Sequence, residues 1–271
     1  MPTLQTLQKT LANAGMGVRW RDKKLAFFLA GFGVISPHRK KLRDFYYRSI
    51  DRSASNGVLS LEFRINSQAT VIEMRQGNEG DYLIACELVR GSYPVPLFTP
   101  KSIVDAGANI GSFSIHASRY FPKARLTCYE PDPSNFVQLK RNLSLNRIEA
   151  QMEPVGVWSK NCTLFYHAQT SETGYVDELP PGHPIPCMLP AIGPECWLKI
   201  DVEGAEYEVL PALFAQQDYP RWISMELHWF NKRGASLMSL LRQHGYRVEG
   251  GGDPALDCAV IFAERPASPV V

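Results

Sequence analysis

From Ser102 to the end of the chain, short β-rich runs alternate with amphipathic stretches, and this alternation limits the fold more than any other feature of the sequence. SIVDA, RLTCYE, MEPVGVW, CWLKIDV and RWISMEL read as strands. IGSFSIHASRYF, PSNFVQLKRNLSLN, AEYEVLPALF and ASLMSLLRQHGY read as the helices between them, and strands around RVEG and DCAVIFAER close the series. A strand followed by a helix and another strand closes as a right-handed parallel crossover. The pattern therefore predicts an α/β fold: a doubly wound, mainly parallel seven-stranded sheet with helices on both faces and its ligands at the carboxyl ends of the strands. The stretch 168–194 interrupts the alternation and reads as irregular.

The part before residue 98 is different. VLSLEFRI and ATVIEMR, separated by Asn66, Ser67 and Gln68, suggest a β-hairpin, DYLIACELVRG a short helix, and the proline-spaced SYPVPLFTP an extended link. Residues 1–98 are thus read as a helical and hairpin extension and 99–271 as the α/β domain. Residues 19–48 hold nine Lys or Arg against Asp22 and Asp44, a local +7 in a chain of net charge +2. An apolar stripe of Leu25, Phe28, Leu29 and Phe32 favours helices docked on the main domain over peripheral contact with an anionic membrane. The apolar run at 25–35 is well short of the roughly 20 residues of a spanning helix. A content of 45% hydrophobic and 21% charged residues excludes disorder and supplies one large core. The six cysteines form no Cys-x-x-Cys pair and no secretory signal precedes them, so reduced thiols in a cytoplasmic setting are expected.

The first strand of the alternating part ends in IVDAGANIGSF, where Gly107 and Gly111 let backbone N–H groups and a helix N-terminus approach a ligand. A dinucleotide site is the rival reading, since Glu130 lies 19 residues after Gly111. The spacing disfavours it: a pyrophosphate cradle needs G-x-G-x-x-G, whereas this loop is G-x-x-x-G behind Asp105, with Asn109 inside it.

Three motifs together, the D-x-G-x-N-x-G loop, YEPDP closing the second strand, and LKIDVEGAEYEVL, resemble the FkbM family of S-adenosylmethionine-dependent methyltransferases over roughly residues 81–264. The resemblance implies a class I, Rossmann-like methyltransferase sheet that binds S-adenosylmethionine. It places the methionine part on Asp105, Gly107, Asn109 and Gly111, the ribose hydroxyls on Glu130, and the adenine near Pro131, Asp132 and the backbone of 155–157, including Val157. A carboxylate suits a vicinal diol because it can accept from both hydroxyls. The resemblance also implies oxygen methylation of a hydroxylated small molecule such as a sugar, polyketide or peptide conjugate, with no nucleic-acid partner. Glu87, Tyr93, Glu203 and Trp229 are expected on the substrate side, beneath the insert TSETGYVDELPPGHPIP. The first 50 residues have no counterpart in the family.

LKIDVEGAEYEVL crowds charge at a strand end. Lys199 and Asp201 are two apart and share a face, and ISMELHW repeats the arrangement with Glu226 and His228, so the four can meet at neighbouring strand ends. His228 is the first choice for the base that takes the acceptor's proton, with Asp201 orienting it or replacing it and Lys199 neutralising Asp201. A structural ion-pair cluster is the alternative. Glu206 and Glu203 read as acids favouring a helix N-terminus, and Glu208 as solvated. A divalent cation on Asp201, Glu226 and His228 is the less favoured arrangement, and no metal is assigned. Against an enzyme stands a module that binds cofactor or partner without turnover, working through the basic 19–48 segment.

Overall fold

The computed structural model describes residues 20–32, 40–168, 174–193, 195–253 and 257–266. Arg19 and residues 33–39 of the basic segment, and 170–173 of the insert, lie outside the described residues. In chain order the elements are helices α1 (Trp20–Phe32) and α2 (Lys40–Asp51), the hairpin β1 (Val58–Ile65) and β2 (Gln68–Arg75), α3 (Glu79–Arg90), β3 (Ser102–Ala106), α4 (Ser112–Tyr120), β4 (Arg125–Tyr129), α5 (Pro133–Leu145) and β5 (Gln151–Glu153). Next come β6 (Gly156–Val157), β7 (Cys162–Ala168), β8 (Gly174–Asp177) and β9 (His183–Met188). The chain closes with β10 (Cys196–Ile200), α6 (Glu206–Ala215), β11 (Trp222–His228), a π-helical turn over Phe230–Gly234, α7 (Ala235–Gln243), β12 (Arg247–Asp253) and β13 (Cys258–Glu264).

The main sheet has seven strands in the order β12-β13-β11-β10-β3-β4-β5. All neighbours from β11 to β5 run parallel, and β13 lies antiparallel between β11 and β12. The order agrees with the sheet expected from the sequence, with β10 at its centre and β3 beside it. Successive residues of the inner strands serve opposite faces, as the period of two requires. Ile103 and Trp197 enter the core shared with α1, the hairpin, α3, α4 and α5. Their neighbours Val104 and Leu198 enter the core under α6 and α7.

Two readings of the sequence are corrected. MEPVGVW is not one strand: β5 belongs to the main sheet and β6 to another, and the break falls at Pro154, which has no N–H to continue a ladder. The described part of 168–194 is not irregular, because β8 and β9 join β6 and β7 in a four-stranded sheet, β6-β9-β7-β8, over a small core of Leu164, Ile185 and Cys187.

The extension packs without a break against the sheet, and one apolar cluster runs from Leu25 and Leu29 through the hairpin to Ile103, Phe113 and Trp197. Leu25 and Leu29 are fully buried, and Phe28 meets Phe45 and Tyr46 edge-on. Phe32's side chain lies outside the described residues. A two-stranded hairpin is marginal alone, and here α5 closes its open edge with amides. Asn146 accepts from Val71 N–H (2.9 Å) and donates to Val71 O (2.6 Å). Asn142 does the same for Glu73 N–H (2.8 Å) and O (3.1 Å), and Gln138 also donates to Glu73 O (2.9 Å). These three residues are four apart and so share one helix face. The six cysteines are free thiols, and among the described residues no helix is long and apolar enough to cross a membrane.

Candidate active site

The loop after β3 carries the cofactor end of the site. Gly107 has φ +77, and a Cβ there would stand 1.9 Å from the Asp201 carbonyl oxygen, so only glycine lets the two strand ends pass. Gly111 has φ +93, and its missing side chain admits Leu139, packing α4 onto α5. Between them Asn109 donates its backbone N–H to Glu130 Oε2 (2.7 Å), while Asp132 N–H donates to Oε1 (2.9 Å). Glu130 closes β4 with both carboxylate oxygens aimed and an outer lone pair left on each. Burial pushes its pKa up to about 7.

A cavity of ≈ 250 Å³ opens at these strand ends and reaches from Gly107, Asn109, Glu130, Pro131 and Val157 to Glu87, Tyr93, Lys199, Asp201, Glu203 and Glu226. Asn109 Oδ1 and Ser112 Oγ, both on its wall, are buried without a hydrogen-bond partner among the described residues. An orphaned acceptor and hydroxyl at the start of α4 fit a ligand bearing an ammonium and a carboxylate, as the methionine part of S-adenosylmethionine does. Tyr129 and Val157 add apolar wall. The residues present therefore fit that cofactor.

The charged end is built around Lys199. Its Nζ donates to Gly107 O (2.6 Å) and lies 3.4 Å from Asp201 and 3.7 Å from Asp105. Burial works against the ammonium charge, but Asp201, Asp105 and Glu87 outweigh it and raise the pKa above the usual lysine value. Asp105 is fully buried behind Lys199, accepts from Ser114 Oγ at 2.5 Å, and does not reach the cavity; its expected contact with the cofactor is replaced by support of Lys199. Asp132 likewise turns away to cap α5, accepting from the N–H groups of Ser134 (2.9 Å) and Asn135 (2.8 Å). Glu226 accepts from Cys258 Sγ (3.1 Å), and repulsion from Asp201 followed by burial raises its pKa. Glu87 is half-buried on the cavity wall, accepts from Tyr93 Oη at 2.5 Å, and is pushed up to about 7 by loss of water around it.

His228 does not suit the role of neutral base. Its Nδ1 lies 3.1 Å from Glu206 Oε1 and its Nε2 3.2 Å from Glu203 Oε2. Burial opposes the charged ring, yet the hydrogen bond to Glu206 and the charges of Glu206, Asp201 and Glu203 prevail and raise its pKa to about 10. At neutral pH it is an imidazolium hydrogen-bonded through Nδ1 to Glu206 and ion-paired with Glu203, and it lines a neighbouring cleft instead of the cavity. Glu206, read from the sequence as a helix-end acid, is fully buried and is the partner that holds this charge. Trp229 also lies outside the cavity, in the same neighbouring cleft. Asp201, Glu203 and His228 place ligand-type atoms within 4.8 Å of one another, as do Glu226, His228 and Cys258. In both sets the imidazole's Nδ1 is already taken up by Glu206.

Several wall residues escaped the sequence reading. Leu83 and Ile84 come from α3, and Tyr166, Gly174 and Val176 from the small sheet. Tyr166 needs Gly174 opposite it, where a Cβ would stand 2.2 Å from its hydroxyl. The signal was faint: ELVRGSY pointed to α3, but only a folded insert brings Tyr166 over Glu130.

Residues 193–248 match the family described as Methyltransferase FkbM domain. Methyltransferase 1 of Beauveria bassiana (strain ARSEF 2860) is 29% identical over 197 residues, covering 58% of this chain and 76% of its own. The 31-O-demethyl-FK506 methyltransferase FkbM of Streptomyces tacrolimicus is 25% identical over 240 residues, covering 70% of this chain and 90% of its own. Among solved structures, Methyltransferase FkbM from Methylobacillus flagellatus KT matches with a TM-score of 0.42 and 13% identity, over 96% of this chain and 59% of that one. With the strand order and the D-x-G-x-N-x-G loop already in place, the family match over 193–248 and the similarity to the Streptomyces methyltransferase agree with the resemblance to the FkbM methyltransferases read from the motifs.

Proposed function

We propose that the protein is an O-methyltransferase that uses S-adenosylmethionine to methylate a hydroxyl of a small molecule, a sugar or a natural-product conjugate. The observation that carries this reading is the single cavity in which the glycine loop and Glu130 face the same space as Lys199, Asp201 and Glu226. When bound, S-adenosylmethionine supplies a methyl whose bond to sulfur breaks, with the electron pair kept by sulfur, as the bond to the acceptor oxygen forms. Glu130 would hold the ribose hydroxyls, and Asn109, Ser112 and the start of α4 the amino-acid end. Gly107 and the α4 turn fix these groups relative to the strand ends, and alignment of this kind is the main contribution a protein makes to an in-line displacement.

The acceptor's hydroxyl must lose a proton, and Glu226 is the base favoured by its surroundings, because repulsion from Asp201 and then burial raise its proton affinity and it lines the cavity. Lys199 and Asp201 then position the acceptor, and Glu87 and Tyr93 bound its space. The name of the Streptomyces relative, a methyltransferase of an O-demethylated product, supports oxygen as the acceptor atom.

Calorimetric titration with S-adenosylmethionine, S-adenosylhomocysteine and NAD, followed by a methyl-transfer screen over pooled hydroxylated metabolites, tests the reading. The first two ligands are expected to bind and NAD is not. Saturable NAD binding with none for the methionine cofactor would overturn the proposal. Glu226→Gln is expected to keep cofactor affinity and slow turnover by roughly 10²- to 10⁴-fold, and full turnover in that variant would remove Glu226 from the mechanism.

A further inference from the structure

Beside the methyl-transfer cavity lies a second cleft of ≈ 490 Å³ that shares Val176 and Glu203 with it. Trp158, Tyr175 and Trp229 contribute aromatic surface, and the polar wall is made of paired charges, Glu203 with His228 and Glu208 with Arg233, together with Asp177, which pairs with His167. Trp229 is the unusual member. Its indole is 44% exposed, although its backbone is held at φ 50, a left-handed conformation that bulky side chains rarely adopt. The ring rests on Gly204, where a Cβ would stand 2.3 Å from Cη2. Glu203, next to that glycine, is also left-handed, at φ 54. The chain thus uses two strained residues and a glycine to present an indole and a carboxylate to solvent at the mouth of its active cavity. The fold itself gains little from leaving that ring half uncovered. Tyr175 on the small sheet is held in turn by His167, which stacks on it at 4.7 Å.

We propose that this cleft binds the non-reacting ring of the methyl acceptor, a hydroxylated ring of sugar type, while the hydroxyl to be methylated enters the cavity beside Glu226; the inference rests on the methyl-transfer reading. The chemistry of the walls selects this class. A sugar ring has an apolar C–H face for indole and phenol surfaces, and an edge of O–H donors for carboxylates. A purely apolar ring would strip water from Asp177, Glu203 and Glu208 without replacing its hydrogen bonds. Sharing Glu203 and Val176 lets one molecule span both spaces.

Saturation-transfer NMR with methyl glucoside, methyl galactoside and methyl rhamnoside, and with cyclohexanol as the apolar control, tests the proposal on the full chain with and without S-adenosylhomocysteine. At least one glycoside is expected to give saturable transfer to its ring C–H protons, and cyclohexanol none. Trp229→Ala and Tyr175→Ala, checked for unchanged circular dichroism, are expected to weaken the glycoside roughly tenfold, the scale of one anchoring contact, and to leave S-adenosylhomocysteine affinity as it was. No saturable glycoside in the wild type, or equal saturation in both folded variants, overturns the inference. Failure of S-adenosylhomocysteine to bind in the same samples would instead count against the methyl-transfer reading, since the glycoside signal is read independently of it.

Discussion

Replacing His228 by Ala removes an imidazolium that bridges Glu206 at 3.1 Å and Glu203 at 3.2 Å. The folded protein raises the ring's proton affinity from 6.5 to about 10. At about 1.4 kcal/mol per pKa unit, the charged pair is worth at most about 4 kcal/mol at pH 7. His228 retains 18% side-chain exposure and Glu203 26%, so screening lowers the expectation to roughly 2 to 3 kcal/mol. Part of that loss is the Glu206 carboxylate, fully buried and left with Val202 N–H at 3.1 Å. Because the folded pKa lies above the unfolded one, the contribution is complete below pH 6.5, declines as pH rises, and is gone above about pH 10. Urea titrations of wild type and His228→Ala are expected to differ most at pH 6 to 7 and to converge near pH 10.5, while the folded variant keeps its turnover per molecule. Equal stability at pH 7 together with a turnover loss of roughly 100-fold would refute this reasoning and return His228 to the role of base.

Glu130→Ala is expected to weaken S-adenosylhomocysteine binding by about 1.5 to 3 kcal/mol, the scale for hydrogen bonds to a charged group, and unchanged affinity by calorimetry would move the ribose site elsewhere. Asn142→Leu should lower stability by about 2 kcal/mol or more, because Glu73 N–H loses its acceptor and Ile110 O its donor at 2.8 Å; an unshifted thermal midpoint would mean that the hairpin edge finds other partners. Burial holds His116 near pKa 4, with Nε2 unpartnered among the described residues, so its folded value lies below the unfolded 6.5. Its contribution is present above pH 6.5 and lost as pH falls toward 4, and His116→Phe should flatten that part of the stability profile relative to wild type.

What the sequence made legible was local. The alternation of strand and helix implied the parallel sheet, because each crossover is decided within about 30 residues. Gly107 and Glu130 were legible because a turn and a strand end fix them almost without help from the rest of the chain. The small sheet was not, since HPIPCM has prolines where strands seldom do and finds its partners in β6 and β7. The amides at 138, 142 and 146 were visible as a spacing, but nothing local says that they face the open edge of β2. A boundary near residue 98 follows from composition, yet the apolar cluster from Leu25 to Trp197 crosses it, and Leu83, Ile84, Glu87 and Tyr93 from the extension complete the cavity wall.

The charges of DVEGAE show why proton states were the least legible part. Sequence spacing placed Lys199, Asp201, Glu226 and His228 at neighbouring strand ends, and they do gather there. Their roles depend on depth and on third partners. Asp105 and Asp201 share one Lys199, and repulsion from Asp201 followed by burial outweighs the cations near Glu226, so its proton affinity rises. Glu206 enters from the start of α6, fully buried, and converts His228 from a titrating base into a fixed cation. Gly204 lets the chain turn under Trp229, so that His228 and Trp229 line only the neighbouring cleft while Glu203 lines both spaces. Acids a few positions apart thus serve three different ends: Asp201 holds Lys199, Glu203 lines both spaces, and Glu206 supports the cation behind them. Each assignment follows from which neighbour removes water from the carboxylate and which one supplies its charge, and neither quantity is carried by spacing alone.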